Sequence, residues 1–496
     1  MDPDRARRQH RRRVARGRRP VARRALTVGL LLAAAQACSS TARGPGDLPP
    51  TGGASPPHGS VAAAPTGLPS TGPRSPEAAT GATGAASAGP SAAASVSPAG
   101  PAAAPAKLNV LLVTVDAMRA DMPWAGYPRP IAPNLTAWEA RSVSYTRAYS
   151  VSSYTAMSVG GFLGGRYPSE LERSGSFFSA YPDSETLFPE LLQAAGVRTV
   201  AAHAHFYFDT KAGFRQGFDV YRMVEGLTTD NKTDRNITSP QHLKLALELL
   251  SDPANTSRQF FAWFHFMDPH DLYMTHEGVP DFGKKARDRY DGEIYFTDQH
   301  VGKLLDFVSQ QPWGEHTAII INSDHGEAFG EHGRTRHGFE LWEPLVHVPL
   351  MIHVPGVAPH RIETPRSMID LAPTILDLLG LPPHAGFQGK SLLSELRAEA
   401  TPEERPVIVD LPRTGDNDRR RAMILGRYKL ISFGDDFRFE LYDLQDDPGE
   451  DHDLRKTKPE IYRMMRQRYD ERVKSIHDIC PQHRDKLKGK SADRPC

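Results

Sequence analysis

The stretch Leu108-Asn-Val-Leu-Leu-Val-Thr-Val115, ended by Asp116, constrains the fold more than any other part of the chain. An almost unbroken aliphatic and β-branched run offers water no polar face, so it fits a strand covered on both sides. Similar runs stand at 197–202, 259–265 and 317–322. Helical patterns lie between them, at 186–195 and 291–310, and Gly196 just past the first fits a helix C-terminus. Strands alternating with helices predict an α/β fold with a large, mostly parallel sheet flanked by helices. Such sheets bind ligands at the carboxyl ends of their strands, which is where Asp116 stands.

After Gly389 the pattern changes. Short strand-like pieces at 406–410, 422–425, 428–431 and 439–442 predict a small C-terminal antiparallel sheet, closed by a helix over 459–475. The expected division is a catalytic domain at 107–395 and a C-terminal subdomain with a loose tail at 396–496. Ahead of these, residues 39–106 are almost entirely Ala, Pro, Gly, Ser and Thr, too poor in apolar surface to offset ordering entropy, and read as a disordered linker.

Residues 1–38 read as a signal peptide of lipoprotein type. An Arg-rich start leads into the apolar run Ala25–Ala37, shorter than the roughly 20 residues that span a bilayer, and Cys38 follows as the residue to be lipidated. Arg23-Arg24 also weakly resembles a twin-arginine signal. The expected location is therefore outside the cytoplasm, periplasmic or at the outer surface, with a membrane link through Cys38. The net charge of +1 hides +9 within residues 1–24 and −8 beyond them, which argues against nucleic acid as a partner. Cys480 and Cys496 are the only other cysteines, free to pair or to stay apart.

Groups with metal-ligand and acid–base chemistry gather at Asp116, around Thr155, at Asp268-Pro-His270, at Asp324-His325-Gly326-Glu327 and from Glu331 through His337. Carboxylates suit hard cations and imidazoles suit borderline ones. Taken singly, each has a plainer use, an Asp at a strand end as a helix cap and a His as a packed core residue. Their joint presence on one α/β chain outweighs that.

Together these segments resemble the sulfatase family of the alkaline phosphatase superfamily. The resemblance runs from Asn109 to Leu454 through Ala132-Pro-Asn134-Leu, Gly164-Gly-Arg166-Tyr-Pro168, Gln216-Gly-Phe-Asp219, Asp268-Pro-His270, Ser323-Asp-His-Gly326, Val348-Pro-Leu350, Asp370-Leu-Ala-Pro-Thr374 and Asp447-Pro-Gly-Glu450. It implies a divalent metal, Ca²⁺, Mn²⁺ or Zn²⁺, held by Asp116, Thr155, Asp324 and His325. A second metal at Asp268, His270 and His337 is an alternative. Ala117 stands where many members have a second acidic residue, which weakens a carboxylate-rich calcium site.

The nucleophile segment departs further. Family members carry Cys or Ser followed by x-Pro-x-Arg, the signal for oxidation to formylglycine. Here those positions fall on Thr155, Met157 and Val159. Thr cannot become formylglycine, and the pattern resembles the Thr-nucleophile branch of the superfamily. A sulfated Thr has no aldehyde to collapse to, whereas a phosphorylated Thr is open to in-line attack by water, so Thr155 favours phosphoryl transfer. His270, ahead of His337, is the expected acid for the leaving group. Arg119, Arg166, His332 and Arg336 are candidates for the missing anion clamp, with Arg166 better suited to a structural ion pair. The leading expectation is a metal-dependent hydrolase of sulfate or phosphate esters. Alternatives are an inactive binding protein that kept the fold, and an extracytoplasmic phosphoryl-group transferase. The sequence sets no oligomeric state.

Overall fold

The computed structural model describes residues 107–175, 178–228, 236–414 and 417–481. The expected signal peptide with Cys38, the linker at 39–106 and the tail with Cys496 lie outside the described residues.

The large sheet is built from β1 (Asn109–Val115), β2 (Val143–Tyr149), β3 (Arg198–His203), β4 (Val220–Met223), β5 (Phe260–Phe266) and β6 (Thr317–Asn322). A two-stranded ribbon follows, β7 (Ala328–Phe329) with β8 (Thr335–Arg336), and then β9 (His347–His353), β10 (His360–Ile362) and β11 (Arg366–Ser367). The spatial order is β10-β2-β9-β6-β1-β5-β3-β4, with β11 against β2. Only β9 runs against its neighbours β2 and β6, so the sheet is mixed but mostly parallel. Every residue of β1, β5 and β6 is buried, as unbroken apolar runs require.

Helices α1 (Pro133–Glu139), α2 (Thr155–Gly164), α3 (Phe188–Ala194) and α4 (Ser239–Ser251) lie in two groups. One joins α1 and α4 to the long helix Ala286–Ser309; the other joins α2 and α3 to the helix Leu371–Leu378. Gly196 ends α3 in a left-handed conformation at φ 81°, as its place in the sequence predicted.

The second sheet is an antiparallel meander of β12 (Val407–Leu411), β13 (Arg420–Leu425), β14 (Tyr428–Phe433) and β15 (Arg438–Asp443), followed by the helix Pro459–Val473. It shares its core with the large sheet, since Met423, Leu430, Phe439 and Leu441 belong to the same cluster as Val110–Val113. Asp410 N–H also donates to the Val151 carbonyl at 2.8 Å, next to the start of α2. Burying each such apolar side chain is worth about 1.5–3 kcal/mol.

Candidate active site

The carboxyl ends of β1, β5 and β6 meet at one place. Asp116 continues β1 and its N–H donates to Phe266 O of β5 at 2.9 Å. Ala117 then takes a left-handed turn, φ 55°, held by Tyr290, whose hydroxyl donates to Ala117 O at 2.8 Å and accepts from Arg119 N–H at 3.0 Å. Ser323, Asp324 and His325 follow β6. Ser323 Oγ accepts from Met118 N–H and donates to His325 O, tying the two turns together. Ser158 on α2 donates to Asp324 O at 2.5 Å, which fixes the helix against the same turn. Gly326 has no room for a side chain, because a Cβ there would sit 2.1 Å from Pro344 O.

Thr155 is the first residue of α2, so its hydroxyl lies at the positive end of a ten-residue helix. Thr155 Oγ1 is 3.1 Å from Asp116 Oδ2 and 3.1 Å from His325 Nε2. His325 Nε2 is in turn 3.5 Å from Asp324 Oδ2 and 3.8 Å from Asp116 Oδ1. All four expected ligand residues are thus brought together, and all are buried.

A fifth joins them. His265, the penultimate residue of β5, places Nε2 3.3 Å from Asp116 Oδ2 and 3.9 Å from Asp324 Oδ2. Sequence reasoning passed over it as part of an apolar strand. The signal was there: one imidazole in the run Phe-Phe-Ala-Trp-Phe-His-Phe, at the carboxyl end of a strand covered on both faces.

The donor chemistry fits a cation. Asp116 Oδ1, Asp324 Oδ2 and His265 Nε2 are buried without a hydrogen-bond partner, and donor atoms of these three residues lie within 4.8 Å of one another. With His325 neutral and its Nδ1–H on Gly326 O, Thr155 has one proton for two acceptors at 3.1 Å. Burial works to raise Asp116, but the neighbouring His265, His325 and His270 outweigh it and hold its carboxyl well below the usual range. Burial, and then the charge of Asp116, push Asp324 up. For His325 burial acts downward, but Asp324 and Asp116 prevail and raise it. Two buried carboxylates this close strain each other unless positive charge is shared between them.

His337 and His270 stand beside this cluster. The His337 ring is 4.3 Å from that of His325, and the His270 ring 5.1 Å from that of His337. His337 Nδ1–H donates to the buried Glu327 carboxylate, 3.2 Å to either oxygen. His270 Nδ1–H donates to Asp271 O and His325 Nδ1–H to Gly326 O, both at 2.9 Å. With Nδ1 so engaged on all three rings, each neutral imidazole carries its lone pair on Nε2. Burial lowers His337 below the ordinary range although Glu327 opposes it.

Two expectations are corrected. The alternative second metal at Asp268, His270 and His337 is not assembled, because Asp268 is spent elsewhere. Its Oδ1 accepts from Thr238 N–H and Oγ1–H at 2.6 and 2.7 Å, and its Oδ2 from Ser239 N–H at 2.8 Å, which caps α4. The candidate anion clamps are likewise engaged: Arg119 with Asp121 and Glu331, Arg166 with Glu185, Arg336 with Asp271, and His332 with Gly449 O. For Arg166 this is the structural ion pair that its context favoured.

A family model for sulfatases matches residues 108–381, more than half of the chain. The chain belongs to the sulfatase family. A second model, for the C-terminal region of N-sulphoglucosamine sulphohydrolase, matches residues 330–477 of this sulfatase-family hydrolase. It is 25% identical over 352 residues to an ulvan-active sulfatase of Formosa agariphila, across 62% of this chain and 68% of that one. It is 31% identical over 180 residues to a choline-sulfatase of Rhizobium meliloti, across 36% of this chain and 34% of that protein. The fold is similar to that of a phosphonate monoester hydrolase of Agrobacterium radiobacter, with a TM-score of 0.61 at 18% identity over 75% of this chain and 95% of that one.

Proposed function

We propose that this chain is a metal-dependent ester hydrolase of the sulfatase type in which Thr155 is the nucleophile. The observation that carries the reading is the Thr155 hydroxyl, buried at the start of α2 and 3.1 Å from both Asp116 and His325. A divalent cation held by Asp116, Asp324 and His325 would supply positive charge beside that oxygen and lower its pKa.

Thr155 Oγ attacks the phosphorus or sulfur of the bound ester and gives up its proton to a neighbouring acceptor, forming the covalent Thr155 ester. The bond from phosphorus or sulfur to the leaving oxygen breaks, and His270, entering the step as an imidazolium whose Nδ1–H stays on Asp271 O, supplies from Nε2 the proton that oxygen needs, a role worth typically 10²–10⁴-fold. The backbone N–H groups at the start of α2 face the charge that develops on the transferred group. His337, neutral and steered by Glu327, takes the proton of the water that then attacks the covalent ester. Water reaches a phosphoryl centre in line, while a sulfuryl group on Thr lacks the aldehyde exit of formylglycine. Phosphate and phosphonate esters are therefore the better fit, with sulfate esters turned over more slowly.

The exported, lipid-anchored location expected from residues 1–38 belongs to the same reading. Cys480 is disulfide-bonded, which suits an oxidising compartment.

The test is a hydrolysis panel on the full chain, with aryl sulfate, aryl phosphate, aryl phosphonate and aryl phosphodiester, each with Ca²⁺, Mn²⁺ and Zn²⁺. Phosphoester turnover that Thr155→Ala abolishes is the expected result. Faster sulfate than phosphate turnover would overturn the preference, and turnover intact in Thr155→Ala would overturn the nucleophile. No turnover at all would favour an inactive binding protein.

A further inference from the structure

The trade between positions 117 and 265 has a consequence for the metal. At Ala117 a carboxylate common in the family is missing, and the backbone there is used instead, its N–H donating to Asp324 Oδ1 at 3.4 Å. On the other side of Asp116, β5 brings in His265. Its Nε2 is 3.3 and 3.9 Å from one oxygen each of Asp116 and Asp324, and neither ring nitrogen has a hydrogen-bond partner. A buried imidazole with no well-aligned hydrogen bond, set against two carboxylates that each keep an unpaired oxygen, is costly unless positive charge is shared among them. The same atoms are well placed around a cation. Thr114, its neighbour in register on β1, gives its hydroxyl proton to Asn322 and accepts from Trp263, so the row beside His265 is already satisfied without it.

We infer that His265 is a metal ligand of this site, and that its imidazole together with that of His325 selects a borderline cation, Zn²⁺ foremost, over Ca²⁺. Ca²⁺ takes six to eight oxygen donors. The five side chains here offer two carboxylates, one hydroxyl and two imidazoles, which is a Zn²⁺ set rather than a Ca²⁺ set. The inference deepens the proposed function, whose metal it names by class, but it does not need turnover to be tested.

The full chain, stripped with chelator, is titrated with Zn²⁺ and with Ca²⁺, and bound metal is measured after gel filtration. The Co²⁺ derivative is followed by its visible absorption. Wild type should retain one equivalent of Zn²⁺ against a thousandfold excess of Ca²⁺. His265→Gln and His265→Asn should lose on the order of 100-fold in Zn²⁺ affinity, leave Ca²⁺ affinity within a few-fold, and change the Co²⁺ spectrum. Should both variants fail to fold, as read by tryptophan fluorescence and circular dichroism, the Zn²⁺/Ca²⁺ competition on wild type decides alone. Unchanged Zn²⁺ affinity in a folded variant would overturn the inference. So would an equal loss for both metals, which marks His265 as positioning Asp116 only, or displacement of Zn²⁺ by equimolar Ca²⁺. Tight Zn²⁺ binding without hydrolysis of any ester would sink the proposed function and leave this inference standing.

Discussion

Replacing Lys429 by Met removes a cation shared by the buried Glu450 and the mostly buried Glu343. Lys429 Nζ on β14 is fully buried, 2.9 Å from Glu343 Oε1 and 2.9 Å from Glu450 Oε1. Glu343 opens the short helix Glu343–Val346, a few residues past His337, so the trio pins the second sheet to the segment that carries the site. Met matches the Lys stem in length, which keeps any cavity small. What is lost is the charge, and breaking a buried pair from one side costs about 3–5 kcal/mol.

The loss depends on pH in a defined direction. Burial pushes Glu450 up to about 7, with Glu343 adding to the shift and Lys429 opposing it. The folded state therefore keeps a proton that the unfolded chain releases near pH 4.5. In wild type, the contribution of Glu450 to stability falls as pH rises from about 4.5 to about 7, by on the order of 3 kcal/mol at 1.4 kcal/mol per unit. Burial also acts to raise Glu343, and Lys429 is the first of the groups that hold it low. Without that ammonium both glutamates need protons in the folded state, so the decline extends further up the pH scale. Urea unfolding of the full chain, followed by tryptophan fluorescence and circular dichroism, should place Lys429→Met much closer to wild type at pH 5 than at pH 8. A loss below about 1 kcal/mol at pH 8, or an equal loss at both pH values, would refute the reasoning.

Asp268→Asn should cost about 1–2 kcal/mol by weakening the cap of α4, and equilibrium dialysis should show its metal content unchanged. Glu327→Gln removes the charge that steers His337 and should lower kcat/KM by about 10–100-fold with the unfolding midpoint nearly unmoved. Glu293 is pushed up to about 7 by burial, against the pull of His276, so its contribution also declines as pH rises from about 4.5 to 7. Glu293→Gln should flatten that part of the stability–pH curve.

Much of the fold was legible because the central strands are buried on both faces. The run at 317–322 is β6 to the residue, and the other predicted strands of the large sheet shift by one. The antiparallel β9 and β2 were not predicted. Val143-Ser-Tyr-Thr-Arg-Ala-Tyr149 mixes polar with apolar residues, and Pro349 interrupts His347–His353, so neither reads as an unbroken apolar run. The site was legible where a carboxylate or imidazole directly follows such a strand, as at Asp116, Asp324 and His325. His265 sits inside one, and there an ionisable residue is masked by its aromatic neighbours. Other segments that carried the resemblance turn out to hold backbone. Asn134 marks the start of α1, whose N–H groups donate to Asp298. Gly217 lies where a Cβ would be 2.1 Å from Glu190 N. Asp370 accepts from Ser367, Lys390 and Arg405. Sequence similarity does not separate such scaffolding from chemistry; distance to Thr155 does.

The two positions that lost the formylglycine signal show what replaced it. Met157 and Val159 are fully buried within α2, and the Tyr181 hydroxyl caps Ala156 O at 2.9 Å with Met157 Sδ at 3.7 Å. Gly160 lets that ring approach, since a Cβ there would fall 2.2 Å from it. An Arg at 159 would have to bury its guanidinium in a helix whose every residue is buried, at a position now filled by an apolar side chain. The helix has thus exchanged an anion-binding side chain for packing. On the proposed mechanism, negative charge in the transition state would then fall to the N-terminus of α2, the imidazoles and the cation that Asp116, Asp324 and His325 would hold. That would be a weaker hold on a spread sulfuryl charge than on a phosphoryl group. Restoring Arg at 159 should therefore destabilise the fold by several kcal/mol before it restores any sulfate turnover.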